Sequence, residues 1–395
     1  MARIGIYGGT FNPPHIGHIR AAACALDKLA LDKLLLIPDR IAPHKVMPAG
    51  TPTPWQRLEM VRIAAGEIAD SAVEVTDMEL KREGPSYTYQ TIEHLRKQYP
   101  NDILYLLIGT DMFLSFQNWK NAPYIWENVT LGVFYRGDRE EQSLIEQHKL
   151  EMEALGAKVE LVQNPVVDIS STELRRMLVL RCGEPFLPAG VGDYIRKNRL
   201  YETGEDFRSL PMEQLERVVI GLLKPNRVAH VLGCRDTAVE LARRWGADET
   251  DAARAGLLLD ITKALDGPLQ LTLCGEYGIV LDAFFTKNPK TLHALTGSLV
   301  AKRIFGENDA VVSAIRSHTT GKANMNTLEK IIYVADYMEP NRDFPGVEEL
   351  RRLAYSDLDA ALKLGLTMTL EMLQKQGSEI SPESREALEF LNKSL

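Results

Sequence analysis

The chain contains 395 residues, more than one compact domain of ordinary size usually holds, and its length therefore predicts two domains. Apolar residues make up 45% and charged residues 25% of the sequence, as in globular proteins, and the net charge of −8 argues against nucleic-acid binding. The four cysteines have no CxxC spacing, which argues against a structural zinc cluster and a secreted disulfide framework.

The predicted elements begin with a strand at residues 3–9, without the charged and then apolar pattern of a leader sequence. No apolar run in the sequence is long enough to span a membrane. We therefore expect a cytoplasmic protein that has no membrane partner.

The first half of the chain alternates short β-rich runs with helical patterns. Strands are predicted at residues 3–9, 33–39, 72–80, 102–111, 129–136 and 158–163, and helices at residues 17–30, 54–69, 87–98 and 140–154. Such alternation predicts an α/β fold, a doubly wound parallel sheet with helices on both faces. Because ligands bind these sheets beyond the carboxyl ends of the strands, we expect a site at that edge.

The loop after the first predicted strand, "GGTFNPPHIGH" at residues 8–18, has the composition of a phosphate-binding loop. Its two leading glycines permit a ligand to approach the backbone closely. His15 and His18 are three residues apart and would flank the first turn of a helix that begins near Gly17. Since the free N–H groups of a helix N-terminus bind phosphate well, the loop predicts a nucleotide site.

A polar stretch at residues 201–211 interrupts this alternation, and the strand patterns end there. The later segments carry apolar residues at helical spacing, as in "MEQLERVVIGLLK" and "NTLEKIIYVADYME". We therefore predict an α/β domain at residues 1–203, a linker at 204–211 and an all-α domain at 212–395.

Several segments of the first half together resemble one family. They are "GGTFNPPHIGH" with its HxGH pattern, "IPDRIAPHK" at 37–45, "GPSYTYQTIEHL" at 84–95, "LIGTDMFLSFQNWK" at 107–120 and "ISSTELRRML" at 169–178. Their content and order resemble the bacterial nicotinate mononucleotide adenylyltransferases, a family of HxGH nucleotidyltransferases with a Rossmann-like sheet. The resemblance implies transfer of the adenylyl group of ATP to nicotinate mononucleotide, which gives nicotinate adenine dinucleotide and pyrophosphate in NAD biosynthesis.

The residues of these motifs suit the chemistry of adenylyl transfer. The attacking phosphate is already an anion, so catalysis depends on positioning and on stabilising charge at phosphoryl oxygens. Ser170 and Ser171 can cap a helix that begins near Thr172 and aims its N–H groups at a phosphate. The predicted catalytic residues, which supply donors and positive charge, are His15, His18, Lys45 and Arg175. Mg²⁺ is expected with ATP, held mainly by ATP oxygens and water.

The resemblance also implies a substrate pocket. Trp119 would lie against the pyridine ring of nicotinate mononucleotide, the Tyr87–Thr88 backbone near its carboxylate, and Asp111 against adenosine. The predicted binding residues are Gly8, Gly9, Thr10, Phe11, Gly17, Tyr87, Thr88, Gly109, Asp111, Trp119, Ile169, Ser170, Ser171 and Thr172. Pantetheine-phosphate adenylyltransferases and cytidylyltransferases share two of the motifs but lack the "PSYT" segment and the tryptophan loop. The choice between nicotinate and nicotinamide stays open.

Three histidines and two aspartates in the helical half have side chains of the types that bind a metal inside a helical bundle. They are His230, Asp260, His293, His318 and Asp336. The segment "SHTTGKANMNTLEKIIYVADYMEPNRDFPGVEELR" resembles the HD-domain phosphohydrolases that cleave diadenosine tetraphosphate symmetrically into two ADP. The resemblance implies that these five residues bind a divalent transition metal.

The His-Asp pair that names this superfamily reads Leu259-Asp260 in this chain. An alkyl side chain cannot coordinate a metal, so the chain lacks one ligand of the set that the resemblance implies. We therefore predict a weak or inactive hydrolase in the second half, and the alternative is a bifunctional enzyme that also cleaves diadenosine tetraphosphate. The predicted partners of the chain are ATP and nicotinate mononucleotide, without nucleic acid. The sequence is compatible with a homo-oligomer but does not set the oligomeric state.

Overall fold

The structure is a computed structural model and describes residues 1–43, 45–68, 70–135, 139–164, 167 and 169–394. The backbone forms two compact units, Met1–Glu205 and Asp206–Leu395, which divide within the polar stretch at residues 201–211. Arg136, the last residue of one predicted strand, lies outside the described residues.

The first unit is an α/β structure built on a parallel sheet, which confirms the predicted fold class. Its strands are β1 (Arg3–Gly9), β2 (Lys33–Pro38), β3 (Val73–Val75), β4 (Ile103–Gly109), β5 (Thr130–Tyr135) and β6 (Lys158–Gln163). Its helices are α1 (Ile16–Lys28), α2 (Pro54–Ala65), α3 (Thr88–Gln98), α4 (Thr110–Leu114), α5 (Ala122–Asn128), α6 (Arg139–Ala154), α7 (Ser171–Val179) and α8 (Val191–Lys197), with 3₁₀ turns at Phe116–Asn118, Glu184–Phe186 and Leu200–Glu202.

The strands lie in the order β3-β2-β1-β4-β5-β6, so the chain order reverses beside β1. β1 pairs with β2 on one side and with β4 on the other. In parallel sheets a crevice opens where the order reverses. The fold therefore places the loop after β1 beside Gly109, the end of β4.

Apolar side chains cover both faces of the sheet, and β2 shows this most clearly. Its run Leu34–Ile37 is buried, as is typical of parallel strands covered by helices on both sides. The predicted strand at 72–80 is much shorter in the structure, because only Val73–Val75 pairs with β2. The polar residues that follow form a turn, in which Leu80 N donates to Asp77 O at 3.0 Å.

The second unit is helical, as the apolar spacing predicts, and its described residues contain no strand. Its helices are α9 (Met212–Leu222), α10 (Val228–Trp245), α11 (Glu249–Leu258), α12 (Gly267–Glu276), α13 (Ala283–Lys287), α14 (Leu292–Arg303), α15 (Asp309–Ser317), α16 (Thr327–Met338), α17 (Val347–Ser356), α18 (Leu358–Lys375) and α19 (Pro382–Ser394), with 3₁₀ turns at Pro225–Arg227 and Pro289–Thr291. Among the described residues of the whole chain, no helix is both long and apolar enough to cross a membrane.

The close contact of α10 and α11 positions the altered His-Asp pair. A Cβ added at Gly256 of α11 would lie 2.9 Å from Arg235 Cα of α10, so glycine permits the two backbones to approach. Leu259 and Asp260 follow directly after the end of α11 and are fully buried. The two helices therefore carry this pair into the interior of the unit.

Candidate functional site

A cavity of about 800 Å³ is lined by residues from the carboxyl ends of β1 and β4 and from the loops around them. Its volume lies within the range of small-molecule sites, roughly 300–1,000 Å³. The predicted residues in its lining are Gly8, Gly9, Thr10, Phe11, His15, His18, Lys45, Tyr87, Thr88, Gly109, Trp119, Ser170, Ser171, Thr172 and Arg175. Motifs that are far apart in the sequence therefore meet around one space.

Three predicted binding residues lie outside this lining. Gly17 is in the first turn of α1, where a Cβ would come 2.9 Å from His15 Nδ1, so its small size leaves room for that ring. Ile169 is buried just before α7. Asp111 is exposed on α4, and its contact with adenosine stays a prediction.

His15 and His18 face each other at the start of α1. The backbone N–H of His15 donates to His18 Nδ1 at 3.1 Å, and the ring centroids lie 3.7 Å apart. Because Nδ1 accepts this bond, neutral His18 carries its proton on Nε2.

Burial sets the charge of both rings. It lowers the pKa of His15 to about 4. It also lowers the pKa of His18 well below its usual value, and repulsion from the Lys45 ammonium and from a protonated His15 adds to this effect. Both rings are therefore neutral near pH 7, and His18 has an Nε2–H available as a donor.

Ser170 and Ser171 have different roles at the start of α7. Ser170 caps the helix, because its Oγ accepts from Glu173 N at 3.2 Å while Glu173 Oε2 accepts from Ser170 N at 2.8 Å. Ser171 Oγ donates instead to Pro13 O at 3.0 Å. The prediction that both serines cap the helix is thus correct for Ser170 only, and Ser171 connects α7 to the first loop.

Asn12 is a second connection between α7 and the first loop. Its carbonyl oxygen accepts from Arg175 Nη1 at 2.7 Å, and its Oδ1 accepts from the Tyr201 hydroxyl at 2.8 Å. Arg175 Nη2 also donates to Thr172 Oγ1 at 3.1 Å. The sequence does not predict Asn12 or Tyr201, because a hydrogen bond between distant positions has no local pattern.

A buried ion pair stabilises the other side of the first loop. Arg57 of α2 is 1% exposed, and its Nη1 lies 3.1 Å from Asp39 Oδ1 and 2.5 Å from Thr10 O. Thr10 Oγ1 in turn donates to Asp39 Oδ2 at 2.8 Å. These contacts fix Thr10 in the cavity wall. Sequence reasoning missed Arg57, because a single charged residue in a helical pattern is usually exposed.

Trp119 lines the cavity from the loop that follows α4. Its half-buried ring packs on Phe116, with centroids 5.0 Å apart. Lys120, which sequence reasoning missed, lines the same cavity, and its Nζ lies 4.1 Å from the centre of the Tyr87 ring. An aromatic face and a positive charge are thus available to an anionic aromatic ligand.

In the second unit, the five predicted metal ligands form one cluster. His230 Nε2 lies 2.9 Å from Asp336 Oδ1 and 3.7 Å from Asp260 Oδ2. Asp260 Oδ1 lies 3.5 Å from His293 Nε2 and 3.9 Å from His318 Nε2. Asp260 therefore lies between the first histidine and the other two.

Each of the three histidines has an acceptor at Nδ1. The pairs are His230 with Glu339 Oε1 at 3.0 Å, His293 with Lys290 O at 2.8 Å and His318 with Ile315 O at 2.7 Å. His230 Nε2 faces the Asp336 carboxylate, to which it donates while no cation lies between them. In the neutral tautomer with the proton on Nδ1, the rings of His293 and His318 turn the lone pair of Nε2 toward the cluster. Protein histidines bind metals in this way, so the donor set fits a divalent cation.

Positive side chains border the cluster. Arg227 forms an ion pair with Asp260, and Arg342 Nη2 lies 2.9 Å from Asp336 Oδ1. Lys263 Nζ lies 3.4 Å from Asp260 Oδ1, yet that buried oxygen has no hydrogen-bond partner among the described residues. Although burial opposes ionisation, Lys263 and the nearby histidines hold the pKa of Asp260 below its usual value. Asp260 is therefore charged, and its two oxygens face Arg227 and Lys263.

Cys234 also faces this cluster, and sequence reasoning missed it. Its Sγ lies 3.5 Å from His230 Nε2 and 3.9 Å from Asp336 Oδ1. Two groups of three candidate ligands therefore result, each with its atoms within 4.8 Å of one another: His230, Cys234 and Asp336, and Asp260, His293 and His318. The only sequence signal for Cys234 is its spacing of four residues from His230, which is too common to identify a ligand.

Comparisons with known proteins divide the chain in the same way as the fold. A cytidylyltransferase-like family model matches residues 6–177, and an HD domain model matches residues 227–341. Over 204 residues the chain is 36% identical to a probable nicotinate-nucleotide adenylyltransferase of Clostridium tetani, a match that covers 51% of this chain and 100% of that protein.

Two further matches concern the second half. Over 168 residues the chain is 40% identical to a symmetrical bis(5′-nucleosyl)-tetraphosphatase of Halalkalibacterium halodurans, covering 41% of this chain and 89% of that protein. A solved structure from Clostridium acetobutylicum, described as a "predicted HD superfamily hydrolase involved in NAD metabolism", is 36% identical and covers 47% of this chain and 99% of that one, with a TM-score of 0.46.

Proposed function

Because the first half of the chain belongs to the nicotinate-nucleotide adenylyltransferase family, and the second half to the family of symmetrical bis(5′-nucleosyl)-tetraphosphatases, we propose a separate chemistry for each half. The first half, with domain limits near 1–203, transfers the adenylyl group of ATP to nicotinate mononucleotide. The products are nicotinate adenine dinucleotide and pyrophosphate, as a step of NAD biosynthesis. The main support for this proposal is that the first loop, the start of α7 and Trp119 line one and the same cavity.

In this mechanism His18 donates its Nε2–H to a phosphoryl oxygen of ATP on which negative charge develops. A donor that is already fixed stabilises this charge without the reorganisation that water would need. Lys45 and Arg175 add positive charge at the same cavity. The phosphate of nicotinate mononucleotide attacks the α-phosphate and pyrophosphate leaves, so the protein needs no nucleophile of its own.

The carboxylates that line the cavity are bonded to other side chains, and this limits the ways in which the protein can bind Mg²⁺. Two of them, Asp39 and Glu79, occur in the described lining. Asp39 is bound to Arg57 and Thr10, and Glu79 accepts a hydrogen bond from Thr91. Neither is free to build an oxygen cage, so we propose that Mg²⁺ enters with ATP and is held by ATP oxygens and water. When bound, the ion neutralises charge on the phosphates.

The second half, near 212–395, binds a divalent metal in our proposal and cleaves diadenosine tetraphosphate weakly or not at all. This conclusion rests on Leu259, which occupies the position of the histidine in the His-Asp motif and cannot bind a metal. A bifunctional enzyme is the second candidate, favoured by the five remaining ligands that meet in one cluster. A cytoplasmic location and a homo-oligomer stay predictions.

One experiment tests the two halves separately. The full chain is incubated with ATP, Mg²⁺ and nicotinate mononucleotide, and the dinucleotide and pyrophosphate are measured by chromatography. Nicotinamide mononucleotide in place of the acid form tests the choice of base. Failure to form dinucleotide from either nucleotide would contradict the proposed transferase.

In a parallel reaction with diadenosine tetraphosphate and Mn²⁺ or Zn²⁺, rapid release of ADP would instead favour the bifunctional candidate.

A further inference from the structure

We propose that Tyr201 is a positioning residue for adenylyl transfer, because its hydroxyl holds Asn12 and, through Asn12, the Arg175 guanidinium at the nucleotide cavity. This role rests on the proposed transferase activity of the first half. Tyr201 comes from the last turn of that half, at Leu200–Glu202, and is not among the described residues that line the cavity. Its effect on the reaction must therefore pass through another residue.

Asn12 is the residue through which Tyr201 reaches the cavity. It lines the cavity and is only 3% exposed. Its Oδ1 accepts from the Tyr201 hydroxyl at 2.8 Å, and its Nδ2 lies 3.5 Å from Thr51 Oγ1. Burial raises the pKa of Tyr201, so the hydroxyl keeps its proton and remains a donor. Without this donor a buried amide oxygen would be unpaired, which favours a rotated Asn12 side chain.

The backbone of Asn12 in turn holds Arg175. Its carbonyl oxygen accepts from Arg175 Nη1 at 2.7 Å. Two further hydrogen bonds of the guanidinium, to Ser171 O at 3.2 Å and to Thr172 Oγ1 at 3.1 Å, stay within α7. Asn12 therefore fixes this positive charge relative to the first loop. A charged donor stabilises a developing phosphoryl charge best when it is already in place, and a displacement of about 1 Å can cost about 100-fold in rate.

The backbone at Tyr201 has a conformation that bulky residues rarely adopt. Its φ of 54° and ψ of 39° lie in the left-handed region, and Arg199 and Glu202 have φ angles of 50° and 57°. Such strain persists only where surrounding contacts hold it, and it collects at functional sites. Arg181 holds this turn, since its Nη1 donates to Glu202 O at 3.1 Å. The turn thus presents the Tyr201 hydroxyl to Asn12 at a cost in stability.

Tyr194 provides a matched control in the same part of the chain. It lies on α8, is half-buried and is not among the described residues that line the cavity. Its hydrogen bonds in the described part of the chain use backbone atoms only, with Gly190 and Asn198 as partners. Tyr194→Phe therefore removes a hydroxyl that holds no part of the first loop.

Tyr201→Phe tests the role directly, because it removes the hydroxyl and keeps the ring. The full chain is assayed by single-turnover release of pyrophosphate with ATP and nicotinate mononucleotide both saturating, and the binding of each substrate is measured by calorimetric titration. We expect a chemical step at least about tenfold slower, with both affinities within about threefold of wild type. Tyr194→Phe should change the rate by less than about twofold.

Asn12→Ala protects the test against a folding defect in Tyr201→Phe. It removes the same hydrogen bond from the other side and keeps the backbone carbonyl that accepts from Arg175. It should slow the chemical step at least as much as Tyr201→Phe, and the double variant should be no slower than Asn12→Ala alone. A wild-type rate in Asn12→Ala would overturn the positioning role.

Adding Tyr201→Phe to Arg175→Ala separates positioning from a purely structural contribution. If Tyr201 acts through the guanidinium, its loss should slow Arg175→Ala by less than about twofold, although it lowers the midpoint of thermal unfolding in both backgrounds. Equal slowing in both backgrounds, or a wild-type rate in Tyr201→Phe, would overturn the positioning role and leave the proposed transferase intact. A wild-type chain that forms no dinucleotide would overturn both.

Discussion

Replacing His18 by alanine tests the proposed phosphate chemistry at its centre. The variant lacks the Nε2–H donor, and loss of one fixed donor to a developing charge costs about 10²–10³ in kcat, or ~2.7–4 kcal/mol. It also removes the acceptor of the His15 N–H, a bond of 3.1 Å, which should cost on the order of 1 kcal/mol of stability. A domain of ordinary stability tolerates that loss. We therefore expect a folded protein whose chemical step is at least about 100-fold slower.

The assay is single-turnover release of pyrophosphate with ATP and nicotinate mononucleotide both saturating. His18→Gln should recover part of the rate, because the glutamine amide nitrogen reaches the position of Nε2. His18→Asn should not recover it, because the shorter asparagine amide nitrogen reaches only the position of Nδ1. His94→Ala is the matched control, since His94 is exposed on α3 and lies outside the cavity lining, and its rate should stay within about twofold of wild type. A wild-type rate in His18→Ala, or equal rates in the Gln and Asn variants, would refute the donor role.

Four further outcomes are expected. Trp119→Ala should weaken binding of nicotinate mononucleotide by about 1–3 kcal/mol and leave ATP binding unchanged, because its ring offers a stacking face; calorimetric titration checks this, and equal losses would indicate a structural role. Arg57→Leu leaves the Asp39 carboxylate without its buried partner and should lower the free energy of unfolding by about 3–5 kcal/mol in denaturant titrations, so an unchanged value would contradict the importance of this pair. Leu259→His should raise both the metal content, measured by mass spectrometry, and the release of ADP from diadenosine tetraphosphate, measured by chromatography; a wild type that is already fully loaded and active would contradict this and favour the bifunctional enzyme. Burial lowers the pKa of His15 to about 4, whereas an unfolded histidine titrates near 6.5, so the unfolded chain takes up this proton first. Stability should therefore fall as the pH decreases from about 6.5 toward 4, and thermal melts of His15→Asn should show a weaker dependence.

The fold of the first unit could be predicted because its signals are local. A continuous apolar run such as Leu34–Ile37 predicts a buried parallel strand, and the alternation with helices predicts the sheet around it. The strand predicted at 72–80 was too long, because an apolar residue beyond Asp77 can belong to a turn as easily as to a strand. Only pairing with β2 decides between them, and pairing is a tertiary contact.

The site was predictable where a motif carries its own chemistry. His15 and His18 belong to one loop, so their mutual position follows from helix geometry. Arg57 and Tyr201 reach the same loop from distant segments, and nothing near them in the sequence marks that contact. Cys234 was missed for another reason. Apart from His230, which lies on the same helix, its neighbour in the cluster is Asp336 of α16, and the sequence does not show that these two helices meet.

The orientation of the cluster histidines is a reason to expect that the proposed metal site still binds a cation after the loss of one ligand. Their Nδ1 atoms are held by Glu339 and by two backbone carbonyls, all of which are present without a metal. The Nε2 atoms therefore face the cluster whether or not Leu259 contributes. Water activation is more demanding, since it needs an open coordination position and a metal placed beside the substrate. Replacing one ligand by leucine should thus impair hydrolysis more than metal binding, and these two properties have to be measured separately in this protein.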